Sequence, residues 1–170
     1  MVDAHVLKGF EIFKGLGDSE LSKIAEICHE RTFKVGERIL EEGTRAKEIH
    51  FCRSGKVDVT VWIREPWNND FAVHQVQAGE VFGWSALVAP YIHTASAVVM
   101  EPVQEIYIKG TELLDLFDQN PRIGYVVMTN VAASIRERLA HTTKKLSVDW
   151  LSSGGPTSSP SSSWGEPGKR

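Results

Sequence analysis

The stretch Val57-Asp58-Val59-Thr60-Val61-Trp62-Ile63-Arg64 alternates apolar residues with mostly polar ones. Successive side chains of a strand point to opposite faces, so this period of two predicts a strand with one face turned to a core. Shorter pieces of the same kind surround it, at residues 31–35, 38–42, 48–53, 71–76, 95–100 and 103–108. Gly36, Gly43, Gly55, Gly79 and Gly110 punctuate them, and residues 66–70 read as a polar hairpin tip. Many short strands at even spacing point to a sandwich, a barrel or a jelly roll.

Helical periods flank this block. On the N-terminal side, Asp18 is placed to cap a helix carrying Leu21, Ile24, Ala25 and Cys28 at helical spacing. A shorter amphipathic piece with Val6, Leu7, Phe10 and Phe13 precedes it, across a Gly15-Leu16-Gly17 turn. On the C-terminal side, Thr111 can cap a short helix holding Leu113, Leu114, Leu116 and Phe117. Asn120-Pro121 then gives an N-cap followed by proline at the first helical position. A long helix is expected over 121–148, on the order of 40 Å at 1.5 Å per residue. Its stripe Val127, Val131, Ile135 and Leu139 outlasts what a small β roll can cover. A homodimer through this helix is therefore expected. The last residues are rich in Ser, Gly and Pro and leave almost nothing to bury. The expected division is one domain over 1–148 and a flexible tail over 149–170.

Composition narrows the function. The chain has 170 residues, 19 Lys+Arg against 22 Asp+Glu, and 42% hydrophobic residues, an ordinary globular balance. A net charge of −3 gives no electrostatic footprint for nucleic acid. No run approaches the roughly 20 apolar residues that span a bilayer, and Asp3, His5 and Lys8 interrupt the first residues where a signal peptide needs an apolar segment. The expectation is a cytoplasmic protein that binds neither nucleic acid nor membrane. Cys28 and Cys52 read as reduced, buried thiols. The six histidines form no HxH, HxxxH or HExxH pattern, so no metal site is expected. Nothing resembles GxSxG, a Walker loop or GxGxxG. No catalytic residues are assigned, and an enzyme is not expected.

The order of these elements resembles the cyclic nucleotide-binding domain shared by the catabolite activator family, cyclic-nucleotide-dependent kinases and gated channels. The resemblance covers roughly residues 10–146. Phe33-Lys-Val-Gly36-Glu37-Arg-Ile39-Leu-Glu41-Glu-Gly43 matches the family's F-x-x-G-E-x-I-x-x-x-G. Ile49-His-Phe51-Cys-Arg-Ser54-Gly55-Lys56-Val57 and Gln77-Ala-Gly79-Glu80-Val-Phe82-Gly83 match its next two segments. The resemblance implies a mainly β fold with flanking α: a double-stranded β-helix (jelly roll) with N-terminal helices and a long C-terminal helix.

It also implies a phosphate-binding cassette here at Phe82-Gly83-Trp84-Ser85-Ala86-Leu87-Val88-Ala89-Pro90-Tyr91-Ile92-His93-Thr94-Ala95-Ser96-Ala97. The family pattern is F-G-E-x-A-L, a few residues, then R-x-A-T/S. The glutamate takes a ribose hydroxyl, and the arginine pairs with the cyclic phosphate. Phe82, Gly83, Ala86, Leu87, Ala95 and Ser96 are kept. Trp84 replaces the glutamate, and the arginine position falls on His93, or on Ile92 if the loop gap is placed differently. An imidazole with a pKa near 6.5 is mostly neutral at pH 7, whereas a guanidinium is permanently charged. Tight binding of cAMP or cGMP is expected to be lost, while Thr94, Ser96 and the cassette's backbone amides can still donate to another small anionic ligand, and Ser85, also in the cassette, can cap its helix. The implied role is a ligand-sensing module in signal transduction without a resident cofactor. The alternatives are an interaction module with a vestigial pocket plugged by Trp84, or the sensor half of a transcription regulator.

Overall fold

A computed structural model of the chain describes residues 2–65 and 68–152, with side chains through Lys144. The N-terminal elements are α1 (Ala4–Leu7), a 3-10 turn (Glu11–Phe13) and α2 (Asp18–Glu26). Helix α2 begins one residue earlier than a cap at Asp18 requires. Gly17 is its N-cap, and its N–H donates to the Glu20 carboxylate at 2.8 Å. Six strands follow among the described residues: β1 (His29–Phe33), β2 (Arg38–Leu40), β3 (Glu48–Ile63), β4 (Asn69–Val76), β5 (Val81–Phe82) and β6 (Ser96–Lys109). A 3-10 turn (Trp84–Leu87) separates β5 from β6, and α3 (Gly110–Gln119) and α4 (Pro121–Ser152) complete the chain. The mainly β fold with flanking helices is as expected.

All strand pairs are antiparallel, in the order β1-β6-β3-β4, with β2 on β6 and β5 on β3. Strands expected as separate pieces are joined: 48–53 and 57–64 form β3, and 95–100 and 103–108 form β6. Gly55, read as a break, is instead a bulge. It sits at φ +89°, and a Cβ there would collide with the Pro102 carbonyl oxygen. The β3–β6 register shifts at this crossing, between Cys52 and Val57. The two long strands thus bend together and split the sheet into two arms.

The arms face two cores. The first gathers Leu7, Phe10, Ile12, Phe13, Leu21 and Ile24 from the N-terminal elements against Ile49, Phe51, Ile106 and Ile108 of the sheet and Leu113, Ile123, Val127 and Val131 of the C-terminal helices. Phe51 is its centre, stacked with Phe13 at 5.1 Å and edge-on to Phe10 at 5.4 Å. The second, inside the roll, holds Leu40, Cys52, Val57, Val76, Phe82, Ala97, Val99 and Val103. Both cysteines are free and buried, as expected, and burial pushes their thiol pKa values up to about 12 for Cys28 and about 11 for Cys52.

The long helix differs from expectation in three ways. It runs to Ser152, past the expected end at 148; the rest of the expected tail, 153–170, lies outside the described residues, as does the 66–67 part of the hairpin tip. Asn120 does not cap it with its side chain: the amide Nδ2 donates to Leu116 O at 3.2 Å, closing α3, while Oδ1 accepts from Lys23. The expected dimer stripe also divides. Val127 and Val131 are buried in the chain's own core and Ile135 packs against it, so only Leu139 of the four is exposed, together with Tyr125. The cause is the helix's seating on the first 3-10 turn, where Asn130 Nδ2 donates to Ile12 O and Lys14 O at 3.0 and 2.9 Å.

Gly55→Ala tests the bulge. It combines a positive φ with a backbone collision, so it should cost more than about 1 kcal/mol, read as a lower urea midpoint; an unchanged midpoint would contradict the crossing.

Candidate ligand-binding site

The site begins on a buried charged platform. Phe82 pairs with His50 across β5 and β3, and the two rings stack at 5.0 Å. His50 Nδ1 lies 3.1 Å from Glu105 Oε2, and both side chains are buried. A buried carboxylate is costly unless it is paired and hydrogen-bonded. Arg31 meets that need: Nε and Nη2 donate to Glu105 Oε1 at 3.1 and 2.8 Å, and Nη2 also donates to Glu48 at 2.8 Å. The guanidinium lies over the Tyr107 ring, 4.1 Å from its centroid. Gly83 rests on this platform at φ +74°, where an added Cβ would approach His50 Cδ2 to 2.7 Å. Glycine is therefore required at the point where the chain leaves β5 for the Trp84–Leu87 turn.

The loop after the turn is pinned by backbone bonds to residues 43–46. Gly43 N–H donates to His93 O at 2.8 Å, His93 N–H to Thr44 O at 2.9 Å, and Ala46 N–H to Tyr91 O at 2.8 Å. Ser96 opens β6, and its hydroxyl oxygen accepts the Glu42 N–H at 3.0 Å. Beside this loop lies an open cavity of about 230 Å³. Phe82, Gly83, Trp84, Ser85, His93, Thr94, Ala95 and Ser96 line it. Ala86 and Leu87, also expected at the site, are buried in the packing beneath the turn.

Sequence reasoning missed the remaining walls. Leu40, Val59, Val61, Val73 and His74 come from the strands, and Arg138 and Thr142 come from α4. The signal for Val59 and Val61 was present in the apolar positions of the decisive strand. For Arg138 there was none, because its place depends on how α4 returns across the roll.

Charge is arranged unusually. His93 is buried, and burial, with His50 nearby, lowers its pKa. The position expected to carry the anchor arginine therefore holds a neutral imidazole at pH 7. Trp84 packs partly against the first core. Its ring is covered by the Arg138 guanidinium, 4.5 Å from the centroid. Arg138 Nη2 also donates to Val81 O at 3.0 Å and lies 3.8 Å from Glu80 Oε1.

The profile of a family described as "Cyclic nucleotide-binding domain" matches residues 30–120. The chain belongs to this family. A solved structure of a putative cyclic nucleotide-binding protein from Geobacter metallireducens GS-15 is 31% identical with a TM-score of 0.71, covering 82% of this chain and 99% of that one. The Thermus thermophilus catabolite activator protein is 25% identical with a TM-score of 0.66, covering 84% of this chain and 63% of that one. Among curated proteins, "Glutaminase 1" of Bradyrhizobium diazoefficiens is 30% identical over 141 residues, which is 81% of this chain. The chain spans only 21% of that protein's length. The family is one of regulatory ligand-binding domains. Among the described residues no three or more His, Cys, Asp or Glu side chains are grouped to hold a metal ion, and no helix is long and apolar enough to cross a membrane.

The buried His93 makes stability depend on pH. Because its folded pKa lies below that of the unfolded chain, near 6.5, the unfolded state binds more protons below that pH. Its contribution is full above pH 6.5 and is lost as the pH falls toward the lowered folded value. The urea midpoint should therefore drop less between pH 7.5 and 5.5 in His93→Gln than in the wild type. Equal drops would show that the imidazole is not held neutral by the fold.

Proposed function

We propose that the chain is a ligand-sensing regulatory module whose cassette has lost its cyclic-nucleotide anchors and takes a different small anionic ligand. One observation carries this reading. The cassette borders an open cavity, yet its two anchor positions hold an indole and a neutral imidazole. Trp84 cannot accept a ribose hydroxyl. His93 lacks the fixed charge that makes each charged hydrogen bond contribute roughly 1.5–3 kcal/mol. Helix α4 would transmit occupancy, since Arg138 and Thr142 wall the cavity from one side. A cytoplasmic location, without nucleic-acid or membrane binding by this module, goes with the reading.

Helix α4 also supports a homodimer, with its contact shifted from the original stripe. Among the described residues of α4, Tyr125 and Leu139, 75% and 66% exposed, are the large apolar side chains left for a second copy. A second reading, a vestigial pocket, is favoured by the Arg138–Trp84 stack, which occupies part of the site.

Calorimetric titration should give no heat of binding with micromolar cAMP or cGMP; micromolar binding of either overturns the proposal. A thermal-shift screen of small anions separates a working pocket from a vestigial one, because a ligand that binds only the folded state raises its melting point. In sedimentation velocity at tens of micromolar, the wild type should be dimeric and Leu139→Asp more dissociated. A monomeric wild type removes the dimer.

A further inference from the structure

We infer that Arg138 of α4 is the anion receptor of the cassette cavity, and that the ligand is a small monocarboxylate with an apolar body. This rests on the ligand-sensing reading above and names its chemistry. Three observations lead to it.

The first is the source of charge. Of the described residues lining the cavity, Arg138 alone carries a permanent positive charge. His93 is neutral, and His74 Nε2 is engaged with Glu80 Oε1 at 3.2 Å.

The second is that this charge is poorly matched among the described residues. Arg138 is 16% exposed, and its acidic neighbour Glu80 lies at 3.8 Å. Glu80 is already occupied, with Oε2 accepting the Gln77 N–H at 2.7 Å and Oε1 facing His74. Among the described residues, the remaining partners of the guanidinium are one carbonyl oxygen and one ring face. Burial lowers the Arg138 pKa, which agrees with a cation short of compensation, although an arginine stays protonated throughout the working range. A guanidinium offers five donors in a planar fork that matches a carboxylate with two parallel bonds.

The third is the rest of the wall. Leu40, Val59, Val61, Val73 and Phe82 line much of the cavity with hydrocarbon. An apolar body fits this lining and leaves one charged end for Arg138, with the Thr142 hydroxyl one helical turn further along the same helix. Because the receptor belongs to α4 rather than to the cassette, ligand binding acts on the helix directly.

The test is calorimetry at pH 7.5 with 2-naphthoate and its neutral counterpart 2-naphthalenemethanol. The wild type should bind the carboxylate more tightly than the alcohol. Arg138→Gln should weaken the carboxylate at least about tenfold while leaving the alcohol within about twofold. Arg138→Lys, which keeps the charge and loses the fork, should recover part of the loss. If Arg138→Gln binds both probes as the wild type does, the inference falls while the pocket stands. If it loses both equally, Arg138 packs the site rather than pairing with an anion, and the inference again falls. If the wild type binds neither probe, the inference falls, and a thermal-shift screen that also finds no stabilising anion overturns the ligand-sensing reading as well.

Discussion

The close crossing of β3 and β6 governs the architecture. Two strands of 16 and 14 residues pair along most of their length, and they bend together because Gly55 lets the backbone pass against Pro102. One arm of the bend carries β1, β5 and the Arg31–Glu105–His50 platform. The other carries β4 and the valines of the cavity wall. The cassette starts on the first arm at Gly83 and re-enters the sheet on the second at Ser96. A flat sheet would separate these two ends. A cavity lies between them, with Arg138 and Thr142 of α4 on one side.

That geometry sets a demand which the cassette's own residues leave unmet. An anion taken out of water needs an opposite charge and directed hydrogen bonds. In this chain the cassette supplies hydroxyls, an imidazole held neutral by burial and an indole. The fixed positive charge at the cavity comes from the helix, where Arg138 lies over Trp84. The indole that replaces an acidic side chain provides the face on which the guanidinium rests.

Much of this was legible in the sequence because the signals are local. Alternation in Val57–Arg64 marked the wall strand, and the spacing of Phe33, Gly36, Gly43, Gly55, Gly79 and Gly83 marked the family. The contiguous cassette then placed eight of the cavity's residues. What was not legible is what depends on long-range packing. Gly55 reads as a turn or a bulge with equal ease until Pro102 is opposite it. Val127 and Val131 read as an interface stripe because helical periodicity identifies an apolar face without naming its partner, and the partner proved to be the chain's own N-terminal elements. Arg138 sat among the polar residues of the long helix, and nothing in its neighbours marked it as part of a cavity built some 55 residues earlier.

The most direct test of the central claim is to put the missing anchors back. The account holds that the cassette frame is intact and that Trp84 and His93 are what exclude a cyclic nucleotide. A Trp84→Glu, His93→Arg double variant, titrated with cAMP by calorimetry beside the wild type, should bind at micromolar concentration where the wild type shows no heat. Equal affinity of the two proteins for cAMP would contradict the account, as would a correctly folded double variant that still fails to bind.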